Sequence, residues 1–326
     1  MAALNILDQP LLTVRHPRTG TMWRLPRVLP GPMEGVMRGT LCRAAADLDL
    51  IPGWIAPFIR ISENVPRLGK LNHHLTEFLG RGLPVIVQLM GTNPELLAKA
   101  ANRLLELDIA GIDVNFACTS GVVVRHGGGG GMLRRPELMA AILTTLRREC
   151  PGLSLSAKIR TGFADPAEMR TIIPALCATG IDFLTVHYRT VRELYRPTPG
   201  REERLSTAVA LAGATPVYGS GDVYNPADAQ IICGACGCAG VMAARGWLRQ
   251  PDLLRRLRGQ SIASGDPRRR LLRRMAELAA AEPGKYFSKP AFLEAAVFMF
   301  GAPDPFFRGL VSREGTDFLS FAAAAE

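Results

Sequence analysis

Eight short apolar runs, each followed by a polar turn and an Ala/Leu-rich amphipathic segment, fill residues 27 to 247 of this chain. The runs are Val28–Met33, Trp54–Ile61, Pro84–Met90, Gly111–Phe116, Leu153–Arg160, Asp182–His187, Pro216–Tyr218 and Gly240–Ala244. Between them lie helical candidates at 36–48, 70–80, 94–107, 136–149, 166–179, 201–212 and 226–236. Asn93-Pro94 and Asp165-Pro166 have the cap-then-proline form of helix starts. Strands and helices in strict alternation demand parallel pairing with helices on the outside, so an α/β fold follows. Eight such units over this length predict a (β/α)8 TIM barrel, and a doubly wound open sheet is the rival that spacing alone leaves standing. Residues 1–26, with Pro10, Pro17 and Pro26, read as an extended N-terminal arm. After Trp247 only helical periodicity remains, in Leu253–Leu257, Leu271–Ala281 and Pro290–Phe300. The expected organisation is therefore a barrel over 1–247 and a C-terminal all-helical domain over 248–326, frayed from Phe321 to Glu326.

Several strands carry polar side chains at their C-terminal ends: Gln88, Asn115, Lys158, Arg160 and His187. Period-two alternation puts Asp113 with Asn115, Lys158 with Arg160, and Thr185 with His187 on shared faces. Burying so many polar groups unpaired is costly, whereas the C-terminal mouth of a barrel is where ligands bind. A polar ligand at that mouth accounts for all of them. After the fourth strand comes Cys118, and then five consecutive glycines, Gly127 to Gly131, expected to offer a bare backbone that a ligand can approach. Gly219-Ser220-Gly221-Asp222 and Ala244-Arg245-Gly246 follow the last two strands, where barrels commonly hold phosphate.

Composition bounds the setting. The formal charge is +10, from 39 Lys and Arg against 29 Asp and Glu, which suits a polyanionic partner such as nucleic acid. The arginines gather late, at Arg249, Arg255, Arg256, Arg258, Arg268, Arg269, Arg270, Arg273 and Arg274. Seven cysteines without regular spacing predict reduced thiols, and no apolar run reaches membrane-spanning length, so a cytoplasmic location is expected. Cys233, Cys236 and Cys238 lack a second Cys/His pair at zinc-site spacing, so no metal is expected.

Taken in order, Pro32-Met33-Glu34-Gly35, Val87-Gln88-Leu89, Ile112-Asp113-Val114-Asn115 with Cys118, Ala157-Lys158-Ile159-Arg160, Val186-His187-Tyr188-Arg189-Thr190, Gly219-Ser220-Gly221-Asp222 and Val241-Met242 before Arg245-Gly246 resemble the tRNA-dihydrouridine synthases. The resemblance spans about residues 27–248. It implies an FMN-containing barrel that reduces the C5=C6 bond of a tRNA uridine with NADPH as electron donor; a monomer is expected. By position it places Pro32, Met33 and Glu34 along the flavin, Gln88 at its ring edge, Lys158 near N1 and His187 on the cofactor. It gives the phosphate to Ser220, Gly221, Asp222, Ala244 and Arg245. Cys118 corresponds to the thiol that protonates C5, and Arg60, Asn115, Arg189 and Tyr195 to positions near the uridine. The helical tail then corresponds to a tRNA-binding domain.

The sequence also departs from the family pattern. Ala117 and Thr119 flank Cys118 where glycine and proline are usual, and Gly121 stands where a lysine is common. Ser220 replaces an asparagine and Ala244 a glycine, and Tyr286–Phe292 lacks the expected basic residues. Two other functions remain open on the residues alone: a flavin oxidoreductase acting on a small molecule, and a diverged RNA-binding paralogue with weak or no activity.

Overall fold

The computed structural model describes residues 6–324. Eight parallel strands form one sheet: β3 (Val28–Pro30), β4 (Trp54–Arg60), β5 (Val85–Met90), β6 (Gly111–Asn115), β7 (Ser154–Arg160), β8 (Phe183–His187), β9 (Val217–Ser220) and β10 (Gly240–Ala243). Their order is β3-β10-β9-β8-β7-β6-β5-β4. β3 and β4 stand side by side without a ladder between them, so the sheet curls into a nearly closed barrel and the open doubly wound alternative is excluded. The main expected helices are present, with ends displaced by up to a few residues. Where a cap was read, the cap is made: Asn93 Oδ1 accepts from the Leu96 N–H at 2.9 Å, and Asp165 and Glu168 form a reciprocal capping box. One segment expected as loop is ordered instead, with a short helix at Gly121–Arg125 and a 3₁₀ turn at Gly129–Arg134.

The N-terminal arm is not extended. β1 (Pro10–Arg15) and β2 (Met22–Pro26) pair antiparallel, and the hairpin seals the bottom of the barrel. Leu25 packs with Leu29, Ile55, Ile86, Ala110, Phe183, Tyr218 and Met242, and Leu11, Leu12, Val14 and Trp23 close over this layer. Prolines at 10, 17 and 26 signalled irregularity. What they concealed was a two-stranded ribbon whose stability comes from the apolar layer beneath it. Residues 1–5 lie outside the described part.

The C-terminal helices lie against the first barrel helix, Gly39–Asp47. Arg274 Nη2 reaches Asp47 Oδ2 at 2.7 Å, Thr40 Oγ1 donates to the Tyr286 carbonyl, and Arg255 pairs with Asp49. Arg268 and Arg256 bind Asp266 and Asp252, and Arg270 donates to three consecutive carbonyls, those of Ala263, Ser264 and Gly265. Many of the tail arginines therefore bind within the chain, and net charge alone overstated the basic surface they offer. The chain end is also more ordered than expected. Helix Gly315–Ala323 buries Phe318 and Ala322 completely, and Phe321 stacks on Phe306; residues 325–326 lie outside the described part.

Leu25→Ala tests the sealed bottom. We expect a loss of about 2–4 kcal/mol in urea unfolding, as for a buried leucine, where an exposed arm would lose less than about 0.5 kcal/mol.

Candidate active site

Strand register explains how polar side chains collect at one end of the barrel. Gln88 pairs with Asp113, Asp113 with Ser156, Asn115 with Lys158, Arg160 with His187, and His187 with Ser220. Above them opens a cavity of about 510 Å³, within the usual range for a small-molecule site. Pro32, Met33, Glu34, Asn115, Cys118, Lys158, His187, Tyr195, Ser220, Gly221, Asp222, Ala244 and Arg245 all line it.

Three expected site residues stand elsewhere. Gln88 is fully buried just beneath the cavity floor, with Nε2 donating to Asp113 and Oε1 accepting from Asn115. Arg60 ends β4 and is exposed, outside the cavity lining. Arg189 is buried; its guanidinium holds Asp222 and donates from Nε to the Arg196 carbonyl. Arg160, expected at the mouth from its place late in its strand, lines the wall and donates to the carbonyls of Ala117, Thr190 and Leu194. The structure adds Phe58, Tyr224 and Phe298 at the rim, to which the sequence reading assigned no site role. Phe298 gave no signal, because it comes from tail helix Lys289–Phe300.

The five-glycine run does not face the cavity. Gly129, Gly130 and Gly131 are buried behind Cys118, and the Gly130 N–H donates to the Cys118 carbonyl at 2.9 Å. A Cβ on Gly129 would lie 2.8 Å from the Cys118 Cβ, and one on Gly130 would lie 2.6 Å from Val191. The glycines thus permit chain to pack on chain, not chain on ligand. On its other side the Cys118 loop is held by Asn115, whose Oδ1 accepts from the N–H groups of Ala117 and Cys118, both at 2.9 Å. The half-buried thiol faces the cavity between these two supports.

Positive charge dominates the floor. Burial, and then Arg160, lower the Lys158 ammonium to about 8, with Asp113 acting in the opposite sense. Its Nζ makes no hydrogen bond among the described residues. Burial holds His187 well below its ordinary range, and Arg160, Lys158, Arg189 and Arg245 reinforce this, so the ring is neutral. His187 Nδ1 accepts from the Arg189 N–H, which leaves the proton on Nε2. Asp222 is the counterweight, accepting from Tyr188 Oη at 2.7 Å, from Arg189 Nη2 and from Arg245 Nη2 at 2.9 Å. Burial raises its carboxyl, but the bonds from Arg189 and Tyr188 prevail and hold it below the usual range. Asp222 adopts φ +52°, a conformation costly for a non-glycine residue and sustained here by those bonds. Next to it, Gly221 has φ +105° and Ala244 abuts Gly31. Among the described residues, no group of three or more His, Cys, Asp or Glu side chains is arranged to hold a metal.

Residues 32–282 match the dihydrouridine synthase (Dus) family model. The chain is 33% identical over 247 residues to a tRNA-dihydrouridine(16) synthase of Cupriavidus necator, covering 74% of this chain and 76% of that one. The corresponding protein of Ralstonia nicotianae is 32% identical, with 72% and 73% covered. Among solved structures, TcOYE with pHBA superposes with a TM-score of 0.56 at 10% identity, over 79% of this chain and 93% of that one. A 2-naphthoyl-CoA reductase complex gives 0.58 at 11%, over 79% and 53%. These two share the fold.

Two outcomes test the geometry. Gly130→Ala should destabilise the protein by roughly 1–3 kcal/mol in urea unfolding, while Gly121→Ala, with nothing within 4 Å of its Cβ, should stay within about 0.5 kcal/mol. Lys158 has a depressed folded-state pKa, so the unfolded chain binds more protons between about 8 and 10.5 and stability rises with pH across that window. In the ligand-free protein Lys158→Met should therefore be more stable at pH 7, by on the order of 2 kcal/mol, and this advantage should shrink as pH rises from 8 to 10.5.

Proposed function

The chain belongs to the dihydrouridine synthase family, and from that premise we propose that it reduces the C5=C6 bond of a uridine in tRNA, with FMN as cofactor and NADPH as electron donor. The curated relatives named above carry position 16 in their names, and uridine 16 is the substrate we assign. The observation that carries the reading is Cys118: a thiol held at the wall of a cavity whose floor presents a half-buried lysine with no hydrogen-bond partner among the described residues.

The residues present fit FMN. Lys158 offers a cation with no hydrogen-bond partner of its own among the described residues, suited to the negative charge a reduced flavin carries at N1. Pro32, Met33 and Glu34 form a wall beside the ring, and neutral His187 offers its Nε2–H. Ser220, Gly221, Asp222, Ala244 and Arg245 surround the place for the phosphate. There the Asp222 carboxylate is already neutralised by Arg189, and Arg245 keeps guanidinium N–H groups to donate. Gln88, expected at the ring edge, lies beneath the floor and serves the site through its bond from Asn115. Bound FMN supplies the hydride for C6.

The chain's own groups do the rest. Cys118 holds the proton that C5 receives, a general-acid role suited to a thiol fixed by backbone bonds on both sides. Asn115 orients that loop as well as facing the cavity. Tyr195 is 56% exposed at the rim and lies over the Arg160 and Arg245 guanidiniums, a flat surface onto which a unstacked base can move. Arg60, exposed at the end of β4, suits a backbone phosphate. Arg189 acts through Asp222 and Arg245. We assign residues 1–247 to the barrel and 248–326 to the RNA-facing helical domain, with Phe298 joining the two at the rim, in a cytoplasmic monomer. No described helix is long and apolar enough to cross a membrane.

Cys118→Ala should keep the yellow flavin and its reduction by NADPH but slow dihydrouridine formation by about 100-fold or more. An undiminished rate removes the thiol from the reaction. Colourless protein, or tRNA from cells lacking the gene that still carries dihydrouridine at position 16, refutes the wider assignment.

A further inference from the structure

We propose that Asp113 is a positioning residue that sets the direction of a side-chain hydrogen-bond relay, from Asp113 through Gln88 to Asn115, and that this direction is what anchors the Cys118 loop. The geometry is continuous. Ser156 Oγ donates to Asp113 Oδ1 at 2.6 Å, and Gln88 Nε2 donates to Asp113 Oδ2 at 2.7 Å. Asn115 Nδ2 donates to Gln88 Oε1 at 2.8 Å, and Asn115 Oδ1 accepts from the Ala117 and Cys118 N–H groups at 2.9 Å. Asp113 and Gln88 are completely buried and Asn115 nearly so, which leaves little water to repair a misdirected bond.

The chemistry of the groups gives the relay a single sense. An amide side chain turned over by 180° keeps its shape but exchanges donor for acceptor, so packing alone does not orient Gln88 or Asn115. A carboxylate only accepts. Burial raises the Asp113 carboxyl to about 6, with Ser156, Gln88 and then Lys158 acting in the opposite sense, so it is ionised at neutral pH. Facing it, Gln88 must present Nε2, and its Oε1 therefore points toward Asn115. Asn115 must then present Nδ2 to Gln88, and its Oδ1 is left facing the two backbone N–H groups. Turning Gln88 over sets acceptor against acceptor at Asp113 and donor against donor at Asn115, and turning Asn115 over sets donor against donor at the loop; either arrangement costs the full desolvation of the buried groups. Each end of the relay is thus determined by the other. The consequence for turnover rests on Cys118 being the proton donor; the relay itself does not.

Reversing the relay tests it. Asn115→Asp keeps an acceptor for the loop but places a second carboxylate oxygen against Gln88 Oε1. Gln88 must turn to satisfy it, and then faces Asp113 with the wrong atom. Adding Asp113→Asn supplies a donor at that position, so the whole relay runs backward with every bond restored. The readout is the rate of Cys118 alkylation by iodoacetamide in the flavin-loaded protein, separated from the other six cysteines by peptide mass mapping; it requires no turnover. N115D should change that rate by about fivefold or more, and D113N/N115D should return it to within about twofold of wild type. A double variant no closer to wild type than N115D, or an N115D rate equal to wild type, overturns the proposal. Should N115D not fold, recovery of folded protein in the double variant supports the relay and failure of both overturns it. A substrate contact by Asn115 predicts no rescue from position 113. Cys118→Ala separately judges the role of the thiol, so the two ideas fail independently.

Discussion

Four cations crowd the C-terminal end of the barrel: Lys158, Arg160, Arg189 and Arg245. Asp113 and Asp222 are the carboxylates hydrogen-bonded within these layers, and Glu34 adds a third at the cavity wall. Burying charge is costly unless it is paired and hydrogen-bonded, and much of the local architecture follows from meeting that condition. Arg160 is neutralised by carbonyls and not by a carboxylate, so its donors tie three separate backbone points to the wall. Arg189 and Arg245 share Asp222, which is held in a left-handed conformation between them. Burial, with the field of Arg160, Lys158, Arg189 and Arg245, keeps His187 neutral, and burial with Arg160 holds Lys158 near 8. The floor carries excess positive charge that an anionic ligand would balance.

Around that floor the chain divides its labour. The glycine run and Asn115 clamp the Cys118 loop from opposite sides, the one by allowing close packing and the other by accepting hydrogen bonds. The hairpin of β1 and β2 closes the far end with hydrocarbon, and the polar layers open into the cavity at the mouth. The helical tail docks through ion pairs to Asp47 and Asp49 and delivers Phe298 to the rim. Departures from the family pattern are partly absorbed in place. Ala244 is accommodated because Gly31 lies opposite it, where a Cβ would come within 2.8 Å of the Ala244 Cβ.

The alternation of apolar runs and amphipathic segments was sufficient to read the barrel, because period-two and period-3.6 patterns are local and repeat eight times. The polar residues at the strand ends were legible for a related reason. Strand direction is common to all eight, so residues late in every strand must meet at one mouth. Where the reading failed, the information was not local. The proline-rich arm looked extended because the layer that stabilises its hairpin comes from seven other segments of the barrel. Gly127 to Gly131 looked like a ligand cradle because glycine permits close approach without saying to what. The count of late arginines overstated the free basic charge because Arg255 and Arg274 are paired with Asp49 and Asp47, some two hundred residues earlier.

The amino-acid sequence by itself determined the architecture, the family and the set of chemical groups at the mouth, since these depend on spacing and residue type. Tertiary structure alone decided which of those groups face the cavity and which serve one another. Gln88 and Arg189 have the right chemistry for a ligand, yet one is bound by Asp113 and Asn115 and the other by Asp222. Hydrogen-bond partners are chosen by three-dimensional proximity and by which group can only accept, and neither is written in the order of residues along a strand.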